Sequence, residues 1–128
     1  MKIARYIATA SSLTAGGAVL FGSTESNSQA YNYSGAGGVQ LKQPGTYLVI
    51  ANFSTTATAD GTEIITMYKG TTSTTQASQT VATGDIADLS LSDFVTVKPA
   101  SSDYATVYFR TTSATTLSAG QVIVIKVV

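Results

Sequence analysis

The chain has 128 residues, of which 21 are threonine and 15 are serine, and it contains no histidine, cysteine or tryptophan. This composition excludes catalytic pairs built on imidazole or thiol and zinc sites made of His and Cys ligands. Seven basic and seven acidic residues give a net charge of zero, so a nucleic acid is not an expected partner. No run approaches the ~18 apolar residues of a membrane span, and the small, hydroxylated and β-branched side chains favour a single all-β, non-enzymatic domain over residues 1–128.

The first predicted strands are Lys2–Ala8 and Ala18–Gly22. Residues 1–5 begin like a secretory signal peptide, and residues 28–30 have the form of a cleavage site. Threonine, serine and glycine interrupt the apolar core of such a leader, however. We therefore expect both strands to belong to the fold or to form an arm that contacts a neighbour. With a cleaved leader, the chain would instead be a secreted bacterial surface protein.

The central part of the chain alternates strand patterns with turn residues. Gly38–Lys42 reads as a half-buried strand, and Pro44-Gly45 predicts a type II turn. Thr46–Phe53 is a nearly continuous apolar run, so we expect a central strand that is buried on both faces. Asp60-Gly61 predicts a hairpin turn that leads into the strand Glu63–Lys69.

The second half of the chain continues this pattern. Thr71–Thr83 is almost entirely Thr, Ser, Gln and Ala, which is typical of either a long exposed loop or a polar edge strand. Strands are predicted over Asp85–Lys98, Tyr104–Arg110 and Gln121–Val128. The last of these is apolar and would aggregate as a free edge, so we expect it inside a sheet or at a subunit interface. Eight or nine short strands of this kind indicate an antiparallel β-sandwich.

Four aspartates form the only local concentration of one charge: Asp85, Asp88, Asp93 and Asp103. Carboxylates bind calcium, and a carboxylate pair hydrolyses glycosidic bonds in many enzymes. The spacing matches no calcium loop, and the acids fall among small polar residues that are typical of turns. We therefore interpret them as solvated turn residues and predict no metal, no cofactor and no catalytic residue.

Tyrosines and apolar strand residues are the candidates for an interaction surface. Tyrosines at alternate positions of one strand are typical of sheet packing or interface anchors, although they also stack sugars or bases. The zero net charge does not oppose association, and the apolar strands exceed what one small sandwich buries. We predict a subunit interface that includes Tyr47, Phe53, Tyr104, Tyr108 and Val124.

Several segments resemble known proteins. Ala4–Thr9 together with Leu13–Phe21 is similar to the opening of small proteins encoded by bacteriophages and prophages. The pair of strands from Gly38 to Asn52 resembles a strand pair of the tumour-necrosis-factor-like and complement-head-like jelly rolls in phage virion proteins. Ile64–Gly70 and Leu117–Val128 resemble later strands of the same fold.

This resemblance implies a jelly-roll sandwich of about 8–10 antiparallel strands that assembles as a homotrimer. It also implies a virion structural protein, foremost a capsid decoration, auxiliary head or head-fibre protein. The alternative is the receptor-binding or glycan-binding head of a tail fibre or tail appendage. The chain lacks a collagen-like stalk and fibre-shaft repeats, which favours a small protein that sits directly on a major capsid, fibre or tail protein. We then expect it on the surface of the phage particle after synthesis in the cytoplasm of the bacterial host.

Overall fold

The computed structural model describes residues 2–26, 30–33, 35–99 and 105–127, and these ranges form eleven strands and no helix. The strands are β1 (Lys2–Ala8), β2 (Ser11–Leu13), β3 (Phe21–Ser26), β4 (Tyr31–Tyr33), β5 (Val39–Leu41), β6 (Gly45–Ala57), β7 (Gly61–Lys69), β8 (Thr72–Val81), β9 (Ile86–Val97), β10 (Ala105–Thr111) and β11 (Thr115–Lys126). Within the same ranges, no helix is long and apolar enough to cross a membrane.

The strands pair into two antiparallel sheets. One sheet has six strands in the order β3-β1-β11-β6-β9, with β2 paired to the start of β11. The other has five strands in the order β4-β5-β10-β7-β8. The two sheets enclose one hydrophobic core, so the predicted all-β sandwich is confirmed. The first and last strands, β1 and β11, are neighbours in the six-stranded sheet, and the apolar end of the chain is therefore paired.

The core is built by the two-residue alternation of the strands. On β6, the side chains of Tyr47, Val49, Ala51 and Phe53 are at most 2% exposed, and the residues between them face the other way. The same alternation runs along β9, β10 and β11. Each strand thus presents one face to the core and one face outward.

Aromatic rings connect the two sheets across this core. The ring centroid of Phe109 on β10 lies 5.3 Å from that of Phe53 on β6 and 6.5 Å from that of Phe21 on β3. Burial raises the pKa of both Tyr6 and Tyr31 to about 12. The rise reflects the cost of placing a charged phenolate in the core, where both side chains pack.

A buried carboxylate also joins the sheets. Glu63 on β7 is 4% exposed and accepts hydrogen bonds from the hydroxyls of Thr55, at 3.5 Å, and Thr115. Both threonines belong to the six-stranded sheet, whereas Glu63 belongs to the other. Because a buried acceptor without a donor would be costly, the three residues have to be kept together for the sheets to pack.

The turn predicted at Asp60-Gly61 has a different role from the one expected. The chain does not form a hairpin there but crosses from β6 in one sheet to β7 in the other, so the hairpin prediction is wrong. The carboxylate of Asp60 accepts hydrogen bonds from the amide of Thr83, at 2.7 Å, and from its hydroxyl, at 3.0 Å. These bonds hold the pKa of Asp60 below its usual value. They also connect the crossing from β6 to β7 with the segment in which the chain crosses back from β8 to β9.

Several boundaries also differ from the sequence prediction. In place of one strand over Ala18–Gly22, the chain has β2 and β3 with a single bridge between Ala18 and Arg110. The polar segment Thr71–Thr83 forms the edge strand β8, which confirms the second of the two alternatives for it. The last strand begins at Thr115 and not at the predicted Gln121. A bulge between Leu117 and Ala119 allows this strand to continue where the sequence predicted a break.

Candidate functional site

The outer face of the six-stranded sheet carries a row of large apolar side chains. Ile3 on β1 lies opposite Ile125 on β11, which lies opposite Leu48 on β6, which lies opposite Phe94 on β9. Residues directly opposite in antiparallel strands share one face. The row therefore crosses four strands, and its ends are open to solvent, with Ile3 39% and Phe94 61% exposed.

The next row enlarges this apolar surface. Ile123 on β11 lies opposite Ile50 on β6, flanked by Arg5 on one side and Ser92 on the other. We call the six apolar residues of the two rows the apolar face: Ile3, Leu48, Ile50, Phe94, Ile123 and Ile125. Contiguous exposed apolar surface of this kind marks interaction sites on soluble proteins.

Beside the apolar face, the same sheet has a shallow depression of about 480 Å³. It forms at the β11 bulge, where Gly120 has no side chain and a Cβ atom would lie 2.5 Å from the ring of Phe53. Its rim is polar: Arg5 Nε donates to Gln121 Oε1 at 3.1 Å, and the hydroxyl of Ser90 donates to Asn52 Oδ1 at 2.7 Å. Ile7, Phe53 and Leu89 contribute apolar lining inside this rim. Arg5 lines the depression and also flanks the apolar face, so the two features adjoin.

The side of the sandwich formed by β8 and β9 is a second feature of the surface. Each is the last strand of its sheet in the described topology. Ile86 and Phe94 on β9 are 62% and 61% exposed, and no residue of β8 is charged. Natural proteins commonly protect such edges with charges or prolines. β9 carries Asp88 and Asp93, whereas β8 has neither a charge nor a proline, so β8 is the part of this edge with the properties of a surface that another chain covers.

The predicted interface residues occupy three different places. The side chains of Tyr47, Phe53 and Val124 are 0–2% exposed in the core. They are not available to a second chain, and this part of the interface prediction is corrected. Tyr108 lies half-buried on the outer face of the five-stranded sheet, and Tyr104 lies outside the described residues. The apolar face is formed by the alternate residues of the same strands β6 and β11, on the other side of the sheet.

The aspartates that were predicted to lie in turns occupy different positions in the structure. Asp85 lies in the turn before β9, where its Oδ2 accepts the amide of Ala82 at 3.0 Å. Asp88 and Asp93 lie within β9, not in turns, and Asp103 lies outside the described residues. Among the residues that the structure describes, no group of three or more acidic side chains is placed to hold a metal ion.

We expect the thermal stability of the protein to be independent of divalent metals. A calcium site saturated at about 1,000 times its dissociation constant would add roughly 4 kcal/mol, and 1 kcal/mol shifts the melting temperature of a domain of this size by several degrees. Thermal melts with and without EDTA should therefore coincide to within about one degree. A chelator-induced drop of several degrees would show that the aspartates bind a metal.

Comparison with known proteins shows the fold class. No family model matches the sequence, and no curated protein matches it. Among solved structures, the globular domain of a zebrafish complement 1qA protein superposes with a TM-score of 0.78 at 11% identity, covering 100% of this chain and 98% of that one. Murine APRIL gives 0.68 at 9% identity, over 96% and 97% of the two chains. The Eiger TNF of S. frugiperda gives 0.67 at 12% identity, over 98% and 92%.

These likenesses identify the sandwich as a jelly roll of the tumour-necrosis-factor and complement-head type, as the sequence predicted. At 9–12% identity, they concern the fold alone. The interaction surface must therefore be judged from the side chains of this chain.

Proposed function

We propose that the protein is a non-enzymatic structural protein that assembles as a homotrimer and decorates the surface of a bacteriophage virion. Among virion proteins, the proposed role is that of a capsid decoration or head-fibre protein. The observation that supports self-assembly is the apolar face, which presents six large aliphatic or aromatic side chains on one side of a sheet. The virion role is supported by the resemblance of the N-terminal and central segments to phage proteins.

The geometry of the two exposed features favours a ring over a two-fold dimer. Apart from Phe94, which belongs to both, the apolar face and the β8–β9 edge are formed by different residues of one chain, so a contact between them is heterologous. Heterologous contacts close into rings when the rotation between subunits allows it. A three-fold ring would bury the edge of each subunit against the face of the next, and it would cover Ile86 and Phe94.

The proposal is tested by the mass of the protein in solution and by its place in the particle. Light scattering after size exclusion should give about three times the chain mass of 13.2 kDa. Peptide mass spectrometry of gradient-purified phage particles should detect the chain, and gold-labelled antibody should mark the head. A monodisperse monomer would contradict the assembly, and absence from purified particles would contradict the virion role.

The second candidate function is that of a receptor-binding or glycan-binding head on a tail fibre or tail appendage. It is favoured by a half-exposed tyrosine pair with an adjacent arginine on the five-stranded sheet. Antibody labelling distinguishes the candidates, because label on the tail would favour the binding head. The position of the gene beside a major capsid gene or a tail-fibre gene gives an independent answer.

A further inference from the structure

The outer face of the five-stranded sheet differs in chemistry from the apolar face. Its centre is the cross-strand pair of Tyr68 on β7 and Tyr108 on β10, both half-buried. The guanidinium of Arg110 lies 5.1 Å from the ring centroid of Tyr108. The surrounding side chains on this face are mainly hydroxyls and amides: Asn32, Gln40, Thr106, Thr66, Gln76, Ser73 and Ser78. Ile64, opposite Ser78, is an apolar exception. We call this surface the tyrosine face.

Arg110 is the charged group of the tyrosine face, and it has no carboxylate partner among the described side chains. Its contacts are the ring of Tyr108 and a long hydrogen bond of 3.4 Å from Nη1 to the carbonyl of Gly16. The nearest acid along β7 is Glu63, which points into the core and accepts two threonine hydroxyls. A guanidinium has five donors, so most of those on Arg110 remain available to a ligand.

The hydrogen-bonding groups beside the rings are already arranged. In the next row of the face, Thr106 lies opposite Gln40, which lies opposite Asn32. The Nδ2 atom of Asn32 donates to Oε1 of Gln40 at 2.8 Å, which links the two amides on this face. The amide hydrogens of Gln40 then remain as donors that are held in one place.

We propose that the tyrosine face binds a carboxylate-bearing saccharide, one that contains a uronic or sialic acid. The apolar C–H face of a sugar ring stacks on tyrosine, whose ring is an apolar body with a polar tip. A guanidinium binds a carboxylate through two parallel hydrogen bonds. The sugar hydroxyls match the hydroxyls and amides that surround Tyr68, Tyr108 and Arg110.

Other classes of ligand fit this face less well. Binding to a nucleic acid depends on several cations that neutralise phosphates, whereas Arg110 stands alone on a chain of zero net charge. A protein hot spot is surrounded by contacts that exclude water, whereas the neighbours of Tyr68 and Tyr108 are polar. A hydroxyl-rich ligand with one acidic group is complementary to both features.

The tyrosine face lies on the opposite side of the sandwich from the apolar face, and its central residues Tyr68, Tyr108 and Arg110 belong to β7 and β10, not to the edge strand β8. The inference therefore does not depend on the proposed trimer, and the two are tested by different measurements. In a trimer, three such faces would raise the avidity for a polysaccharide without any new contact.

The experiment measures binding of the full chain to immobilised oligosaccharides that end in glucuronic, galacturonic or N-acetylneuraminic acid, each beside its carboxyl methyl ester. At least one acid should bind at least about tenfold more tightly than its ester. Arg110→Gln should lose at least about tenfold in affinity for that acid and bind acid and ester alike. Lys98→Gln, which removes the same charge from an exposed position at the end of β9, should leave the affinity unchanged.

Further variants separate binding from folding. Tyr108→Ala and Tyr68→Ala should each lose affinity, while Tyr108→Phe keeps the ring and should retain it. Arg110→Lys keeps the charge but not the two-donor fork, and it should lie between wild type and Arg110→Gln. Circular dichroism and light scattering establish that each variant is folded and assembled like the wild type.

Four results would overturn the proposal. They are no binding to any of the three acids, equal binding to acid and ester, an equal loss in Arg110→Gln and Lys98→Gln, or equally tight binding of a 20-nucleotide oligothymidylate with the same sensitivity to Arg110. The last would assign the face to a phosphate polymer. None of these results bears on the oligomeric state.

Discussion

Removal of residues 2–8 should prevent the protein from folding. These residues form β1, which is an interior strand of the six-stranded sheet and pairs with β11 on one side and β3 on the other. Its Ala4 and Tyr6 are 0% and 1% exposed, and the ring of Tyr6 lies about 6 Å from those of Phe21 and Tyr33. Loss of one large buried aromatic side chain costs about 3–5 kcal/mol. The domain as a whole has about 5–15 kcal/mol of stability.

The deletion is measured by circular dichroism and urea denaturation, beside two point variants in the same strand. Tyr6→Ala should lower the free energy of unfolding by about 3–5 kcal/mol. Ile3→Ala is the matched control, because Ile3 is 39% exposed on the outer face. Since Ile3 also lies in the proposed interface, both point variants are compared in a Phe94→Asp background that is expected to be monomeric, where the truncation of Ile3 should change the stability by less than about 1 kcal/mol. A truncated chain with an unchanged urea midpoint would identify residues 2–8 as a dispensable arm or leader.

The fold class was predictable from the sequence because the predicted strand patterns are present in the structure. β9 and β10 show a two-residue alternation, and β6 contains an apolar run. Both patterns reflect the burial of apolar side chains, so they can be recognised from the hydrophobicity of the sequence. The sheet that the chain enters after each turn was not predictable from the sequence in the same way. Asp60-Gly61 allows the chain to reverse but does not specify whether the next strand joins the same sheet, which depends on the packing of the whole core.

The predicted interface residues of β6 and β11 lie in the core, whereas the apolar face is formed by their neighbours in the same strands. Tyr47, Phe53 and Val124 are large or apolar, and size alone does not say which of two alternating faces is covered by the partner sheet. The informative signal was the apolar character of both alternating sets in Thr46–Phe53 and Gln121–Val128. One set fills the core, and the other, which includes Leu48 and the isoleucines of β11, forms the apolar face.

The tyrosine face depended on pairing between distant segments, so the sequence alone did not identify it. Tyr68 and Tyr108 are 40 positions apart in the chain and become neighbours only through the register of β7 with β10. Arg110 follows Tyr108 by two residues, and this spacing in a strand does place both side chains on one face. The spacing along β10 thus indicated Tyr108 and Arg110, and the pairing of β7 with β10 added Tyr68.

Placing a carboxylate on the apolar face should separate the proposed trimer into folded monomers. Phe94→Asp and Leu48→Asp both put a charge in the row that the proposed interface buries. An unpaired charge removed from water costs several kcal/mol, and three-fold symmetry repeats the cost at each contact. In the monomer, Phe94 is 61% exposed, so Phe94→Asp should leave the fold intact.

The measurement is light scattering after size exclusion, together with circular dichroism on each variant. The apparent mass should fall from three chains to the single-chain 13.2 kDa for Phe94→Asp and Leu48→Asp. Asn32→Asp is the matched control, because it adds the same charge at an exposed position on β4, at the opposite end of the five-stranded sheet from β8, and should remain trimeric. A trimer that persists in both apolar-face variants would place the subunit contact elsewhere. Because Phe94 is already solvated in the single chain, a monomeric and folded Phe94→Asp protein would attribute the lost assembly to the interface and not to unfolding.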